Sequence, residues 1–205
     1  MDFWEVIKNR RSVRKFKSDD VDQGRIDKII KAAYLAPCGS NVKNWHFIVV
    51  RDPSVKEKMH EAVKDRIGEF ADKMKSLRAK SEFLLYGKYF TFFSEAPVVI
   101  AVVMKKYDSL SARILERYED NAGYMTTTGV QNVSAAIENM LLACAAEGLG
   151  ACWMTGPMLA KKKLEEVLKI EDPDNLLALI PVGIPEKMPA PHKVPKSIAD
   201  FVTIV

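Results

Sequence analysis

The sequence predicts one domain of mixed helices and strands around a shared core. Three observations predict it. At 205 residues the chain is long enough for a sizeable core and fits one domain, residues 1–205. Apolar residues recur at helical spacing in several stretches, among them Ile26, Ile29, Ile30 and Ala33. Elsewhere they run continuously and β-branched, as in Val98–Met104, the pattern of a strand covered on both faces.

The elements follow in order. Phe3, Trp4, Val6 and Ile7 make a short amphipathic helix with Asp2 as N-cap. A cationic run, Arg10-Arg11-Ser12-Val13-Arg14-Lys15-Phe16, comes next. Asp19-Asp20 precede a second helix that Pro37 and Gly39 stop. Ala36 to Trp45 is a turn-rich loop, and His46–Val50 reads as a buried strand. Asp52-Pro53 opens a helical region reaching about Lys80. A second helical piece, Glu82 to Ser94, is dense in aromatics: Phe83, Tyr86, Tyr89, Phe90, Phe92 and Phe93. Such rings serve as core or oligomer contact, with a lid over a flat ligand as the alternative. The β-branched strand Val98–Met104 follows, then a polar stretch to Met125 without clear periodicity.

Thr126–Glu147 is the central helix, with Val130, Val133, Ile137, Leu141 and Ala145 on one stripe. Its many small residues suit packing against a symmetric copy. Gly148 is its C-cap. Leu149–Met154 reads as a buried strand, and Thr155-Gly156-Pro157 turns into a helix ending near Leu168. Leu176–Ile184 is a strand whose Pro181 and Gly183 predict an edge or a bulge. The Pro- and Lys-rich segment from Pro185 wraps over a surface. Ile198–Val205 is a terminal strand with no partner in its own chain, able to complete a partner's sheet.

Composition excludes several classes. The net charge of +4 is mild and scattered, so nucleic acid is not required, while an anionic small ligand is suited. Cys38, Cys144 and Cys152 show no CxxC spacing, which argues against a zinc site or a cysteine-held cluster. Unpaired thiols suit the cytosol, so a cytoplasmic protein is expected. The acidic N-terminus does not read as a signal peptide, and no apolar run is long enough for a membrane span. Gly148-Leu149-Gly150 lacks the third glycine of a dinucleotide fingerprint, and there is no Walker A loop. His46, His60 and His192 have no metal-ligand spacing. The sequon at Asn132 lies inside a helix and is set aside. Cys38 is the loop thiol with nucleophile character, with no neighbouring base that the sequence reveals.

Two stretches carry chemistry. In an extended R-x-S-x-R segment, Arg10, Ser12 and Arg14 point one way while Arg11 and Val13 point the other. Guanidinium forks fit a phosphate, although a solvated basic loop is the equal alternative. The Pro37-Cys38-Gly39-Ser40-Asn41 loop is small enough for close backbone approach to a ligand. No proton-transfer constellation accompanies them, which points to borrowed cofactor chemistry. A flavin mononucleotide (FMN) would use these parts: cations at its phosphate and pyrimidine edge, and a backbone N–H near N5.

These residues carry a resemblance. Arg10–Phe16, Ala36–Asn41 with Trp45-His46-Phe47, Gly148–Trp153 and Pro181-Val182-Gly183 resemble the FMN-dependent nitroreductase family, in that family's order over nearly the whole chain. The resemblance implies an α+β fold, with a mostly antiparallel sheet, flanking helices and an intertwined homodimer holding two FMN sites. It implies that Arg10 and Ser12 hold the phosphate and ribityl end, that Arg14 sits at the N1/O2 edge, and that Arg11 belongs to the same cofactor wall. Pro37, Cys38, Gly39 and Asn41 would come from the other subunit. Thr155 and Gly156 would present the donor near N5, and Lys193, with His192 second, would complete the phosphate grip. The segment from about 185 to 205 would wrap onto the partner. Cys38 stands where the family has Ser, and Lys43-Asn44 where Gln and Pro precede the Trp, which is expected to alter the pocket mouth.

The implied activity is reduction of electron-poor acceptors, nitroaromatics or quinones, by NADH or NADPH through FMN. Alternatives are a same-fold dehalogenase or flavin-fragmenting enzyme, or a non-enzymatic FMN sensor. Neither nucleic acid nor membrane is an expected partner.

Overall fold

The computed structural model describes residues 2–108, 110–118, 126–190, 197 and 199–205. The first helix, α1 (Phe3–Asn9), is closed by a capping box in which Glu5 N–H bonds Asp2 and the Glu5 carboxylate returns to the Asp2 N–H. Helix α2 (Gln23–Tyr34) follows Asp19-Asp20 as expected and is capped by Asp22. Asp20 instead pairs with Arg51 at 2.6 Å.

Strand β1 (Trp45–Val50) leads into α3 (Pro53–Asp72), capped by Asp52 as expected. The expected run to Lys80 is broken after Asp72. Ser76 caps a separate helix, α4 (Leu77–Gly87), by accepting the Ala79 N–H at 3.3 Å. Helix α4 also ends earlier than expected, passing into two 3₁₀ turns, Lys88–Phe90 and Phe92–Glu95. Strand β2 (Val98–Met104), α5 (Leu110–Tyr118) and the 21-residue α6 (Thr126–Ala146) follow. After β3 (Gly150–Ala151), a 3₁₀ turn at Gly156–Ala160 opens α7 (Lys161–Leu168), and β4 (Asn175–Gly183) completes the sheet.

Among the described residues the sheet has four antiparallel strands in the order β1-β2-β4-β3. Side-chain alternation makes it the middle of three layers. Val98, Ile100 and Val102 pack with Ile26, Ile29, Ala136, Ile137 and Met140 on the α2–α6 side. Val99, Ala101 and Val103 pack with Met59, Val63, Ile67 and Leu164 on the α3–α7 side. The continuous apolar run of β2 is thus buried on both faces, as expected.

Three strand readings need correction. Strand β1 is an edge strand, with His46 and Val49 exposed, so only Trp45 and Val50 are fully buried. Strand β4 is interior rather than an edge, and its bulge falls beside Leu177, not at Pro181. The third concerns Leu149–Met154, which pairs with β4 only at Gly150–Ala151 and again at Met154. Met154 and Leu179 exchange both backbone bonds at 3.0 Å. Hydrogen-bonded pairs alternate along an antiparallel ladder, so the next such pair would set Cys152 against Pro181. Proline has no N–H to give, and the ladder lapses there.

On α6 the buried stripe is Val133, Ala136, Ile137, Met140, Leu141 and Cys144, while Val130 is 42% exposed. The terminal residues form no strand: Ala199–Phe201 is a 3₁₀ turn, followed by exposed Val202, Ile204 and Val205. Ile198 lies outside the described residues.

The cationic run does lie extended, beside the short edge of the sheet. The Val13 N–H donates to Ala151 at 2.9 Å, Ser12 bridges Ala151 in parallel, and Phe16 bridges Pro185. Val13 is buried with Phe16 and Ala96. A Cβ at Gly150 would meet the Val13 side chain at 2.7 Å. Gly150→Ala is therefore expected to cost about 1–3 kcal/mol in chemical denaturation, by overpacking against Val13. An unchanged denaturation midpoint would show that Val13 gives way freely.

Candidate functional site

Arg10, Ser12 and Arg14 alternate along the extended run, and Arg14 lines one cleft with Cys152. Burial pushes the Cys152 thiol up, while the Arg14 charge, a hydrogen bond from the Ser12 side chain and the Arg10 charge pull it back down. Val13, between Ser12 and Arg14 in the run, is buried. Arg10 Nε lies 3.8 Å from Glu138 of α6, and Arg14 Nη1 lies 3.5 Å from the Ser12 carbonyl. Arg11 is half-buried.

Arg14 opens on a cleft of about 520 Å³. Cys152 to Gly156 form one side of it, where the Pro181 gap interrupts the strand. Tyr86, Tyr89, Phe90 and Phe92 supply aromatic rings, with Tyr86 edge-on to Phe90 at 5.5 Å and 5.6 Å from Tyr89. The aromatic piece therefore divides. Phe93 is core, whereas Tyr86 and Tyr89 are exposed at the cleft. Thr155 is exposed and Gly156 half-buried at the start of the 3₁₀ turn. A Cβ at Gly156 would strike the Phe90 ring.

Three larger grooves lie elsewhere, about 710 Å³ between α3 and α4, about 660 Å³ between α2 and β1, and about 560 Å³ beside Asn9, Gly148 and Pro185. None of them is lined by any residue of the cationic run. Size alone does not select a site, and the cleft of about 520 Å³ is the one that Arg14 of the cationic run lines.

The Pro37–Asn41 loop does not line that cleft. Pro37 is exposed, while Cys38 and Gly39 are half-buried. Ser40 and Asn41 adopt left-handed φ of 51° and 55°. The Gly39 N–H donates to Asn132 Oδ1 at 2.9 Å, and Lys43 Nζ donates to Asn41 Oδ1 at 3.1 Å. His192 and Lys193 lie outside the described residues.

The sequence shows Asn132 only as a sequon inside a helix and Asn44 only as a departure beside Trp45. Both are buried, and the Asn132 amide donates to Asn44 Oδ1 at 3.0 Å. Asn44 is thus part of the loop's foundation and not of a pocket mouth. The signal was available: Asn132 falls in line with Ala136 and Met140 on an apolar helix stripe. The remaining chemistry is sparse. Cys144 is fully buried with its thiol pushed up to about 12. Among the described residues no group of His, Cys, Asp and Glu could hold a metal, and no helix is long and apolar enough to cross a membrane.

Comparison with known proteins adds four findings. A model described as the nitroreductase family matches residues 7–184. A "Putative NADH dehydrogenase/NAD(P)H nitroreductase" of Methanothermobacter thermautotrophicus is 31% identical over 192 residues, covering 92% of this chain and 80% of that protein. Iodotyrosine deiodinase 1 of Mus musculus is 29% identical over 91% of this chain, which spans 63% of the mouse protein. Among solved structures, a BluB-like flavoprotein from Clostridium difficile 630 superposes with a TM-score of 0.89 at 32% identity, covering 100% of this chain and 99% of its own.

Proposed function

Because the chain belongs to the nitroreductase family, we propose that it is an FMN-dependent oxidoreductase taking hydride from NADH or NADPH and reducing electron-poor aromatic acceptors. The observation that carries this reading is that Arg14 shares one cleft with Cys152–Gly156 and the Tyr86–Phe92 rings, at the end of the extended run that bears Arg10 and Ser12. FMN fits this donor set. Its phosphate needs permanently charged forks, which arginine supplies. Its ring needs flat apolar walls and close backbone approach, and the cleft offers Tyr86, Phe90 and a Gly156 that has no room for a side chain.

When bound, FMN supplies the hydride chemistry, and the chain supplies placement and charge. Arg10 and Ser12, with Arg11 beside them, would hold the phosphate and ribityl end. Arg14 would stand at the pyrimidine edge, where positive charge favours the electron-rich reduced ring. Thr155 and Gly156 would present a backbone donor, and Lys193 with His192 would close the phosphate grip. Pro37, Cys38, Gly39 and Asn41 would complete the site from a second copy of the chain.

The homodimer of single-domain protomers is part of the proposal. Phe3 and Trp4 on α1 and Val202, Ile204 and Val205 at the terminus are exposed. The outer edge of β1 has no strand partner among the described residues. A second copy would cover these surfaces, with residues 185–205 wrapping across. Unpaired cysteines suit a cytoplasmic setting.

The test is anaerobic titration of the purified yellow protein with NADH and NADPH, followed by a panel of nitroaromatics and quinones. Bleaching of the flavin absorbance by a nicotinamide, and its return on adding an acceptor, is the expected result. Protein that is colourless and takes up no FMN overturns the reading. The deiodinase relatives favour a second activity on the same site, reductive dehalogenation of a halogenated phenol. Halide release from a halotyrosine, with no turnover of nitroaromatics, would select it.

A further inference from the structure

We infer that Asn132, inside the long helix α6, is the residue that positions the Pro37–Asn41 loop for cofactor binding. The inference rests on the flavin reading above, in which that loop touches FMN.

Within the loop the Val42 N–H donates to the Gly39 carbonyl at 2.9 Å and Lys43 Nζ to Asn41 Oδ1 at 3.1 Å. Ser40 and Asn41 are consecutive non-glycine residues in the left-handed region, an arrangement that persists only where surrounding structure imposes it. The imposing contact comes from α6. Asn132 Oδ1 accepts the Gly39 N–H at 2.9 Å, immediately before the two strained residues. Gly39 itself lies tight against its surroundings: a Cβ there would meet the Tyr107 hydroxyl at 2.7 Å and Thr128 Cγ2 at 3.0 Å. The Gly39 backbone therefore sits against Tyr107 and Thr128 with no room for a side chain.

Asn132 is in turn locked. Its amide donates to Asn44 Oδ1 at 3.0 Å, and the Asn44 amide donates to the Gly129 carbonyl at 3.2 Å. The Lys105 N–H closes the far side by donating to the Asn44 carbonyl at 2.8 Å. Asn132 is 5% exposed and Asn44 2%, so these bonds form away from water. There an unpaired amide is costly, and a satisfied network admits one geometry. Asparagine also interrupts a stripe otherwise continued by Ala136 and Met140, where an apolar side chain would pack without desolvation cost. What the amide adds is a defined position for Gly39, and through it for Ser40 and Asn41.

The test compares Asn132→Leu with Asn132→Asp in the FMN-loaded dimer. Leucine removes the acceptor for the Gly39 N–H. Aspartate keeps an oxygen there but loses the amide that donates to Asn44, so both variants lose folding stability. The readouts are the FMN dissociation constant by fluorescence titration and hydrogen exchange of the peptide holding Gly39. Asn132→Leu should raise the dissociation constant at least tenfold and speed exchange at Gly39. Asn132→Asp should stay within threefold of wild type in affinity, despite its lower stability. Equal loss of affinity in both variants would reduce Asn132 to a structural role and overturn the inference. So would Asn132→Leu protein that binds FMN within threefold of wild type. Wild-type protein that binds no FMN would instead sink the flavin reading itself, and this inference with it.

Discussion

Arg10→Ala is expected to weaken FMN retention by about 1.5–3 kcal/mol, the worth of a hydrogen bond to a charged group. That is roughly a 10- to 150-fold rise in dissociation constant. The fold should survive, because the Glu138 partner is itself 49% exposed and such pairs contribute at most about 1 kcal/mol. Arg14→Ala should behave differently. Arg14 is exposed at the cleft, and in the proposed site it faces the ring, so its loss should lower the flavin midpoint potential and leave retention less affected. Equilibrium dialysis and spectroelectrochemistry on both variants give the two readouts. If both lose flavin equally and neither shifts the potential, the division of roles along the R-x-S-x-R run is wrong.

Gly156→Ala should have the other large effect. The new methyl would strike the Phe90 ring, and relieving that overlap is expected to cost about 1–3 kcal/mol of stability. It would also displace the turn that opens the cleft, so FMN binding should fall with it. Phe90 supplies the check, because Phe90→Ala removes the ring atoms that the methyl meets. In that background Gly156→Ala should be close to neutral, a coupling that a double-mutant cycle in chemical denaturation reads directly. Additive losses would mean that Gly156 is required for some reason other than the ring.

Much of this site was legible in the primary structure because its signals are local. The alternation of Arg10, Ser12 and Arg14 needs only an extended backbone, and the Val13 N–H bond to Ala151 supplies one. Caps at Asp2 and Asp52 and the two-faced burial of β2 were readable for the same reason. The misreadings were non-local. Leu149–Met154 has strand composition throughout, yet pairing lapses at Cys152 because the residue set against it is Pro181. Helix α3 stops at Asp72 where periodicity alone would carry it on, since Ser76 caps a new helix that lies against it at Gly87 and Ile67.

Side-chain identity and spacing within one element set the chemistry on offer: forked cations around a hydroxyl, a small-residue loop and a glycine turn. The tertiary structure alone decided which of them meet. It brings Arg14 to the same cleft as Gly156 and the Tyr86–Phe90 rings, and it keeps the Pro37–Asn41 loop apart, tied through Asn132 to α6. The reason is physical. A side chain's direction along a strand or helix is set by backbone period, whereas its distant neighbours are set by strand register, a missing proline donor and the packing of three layers.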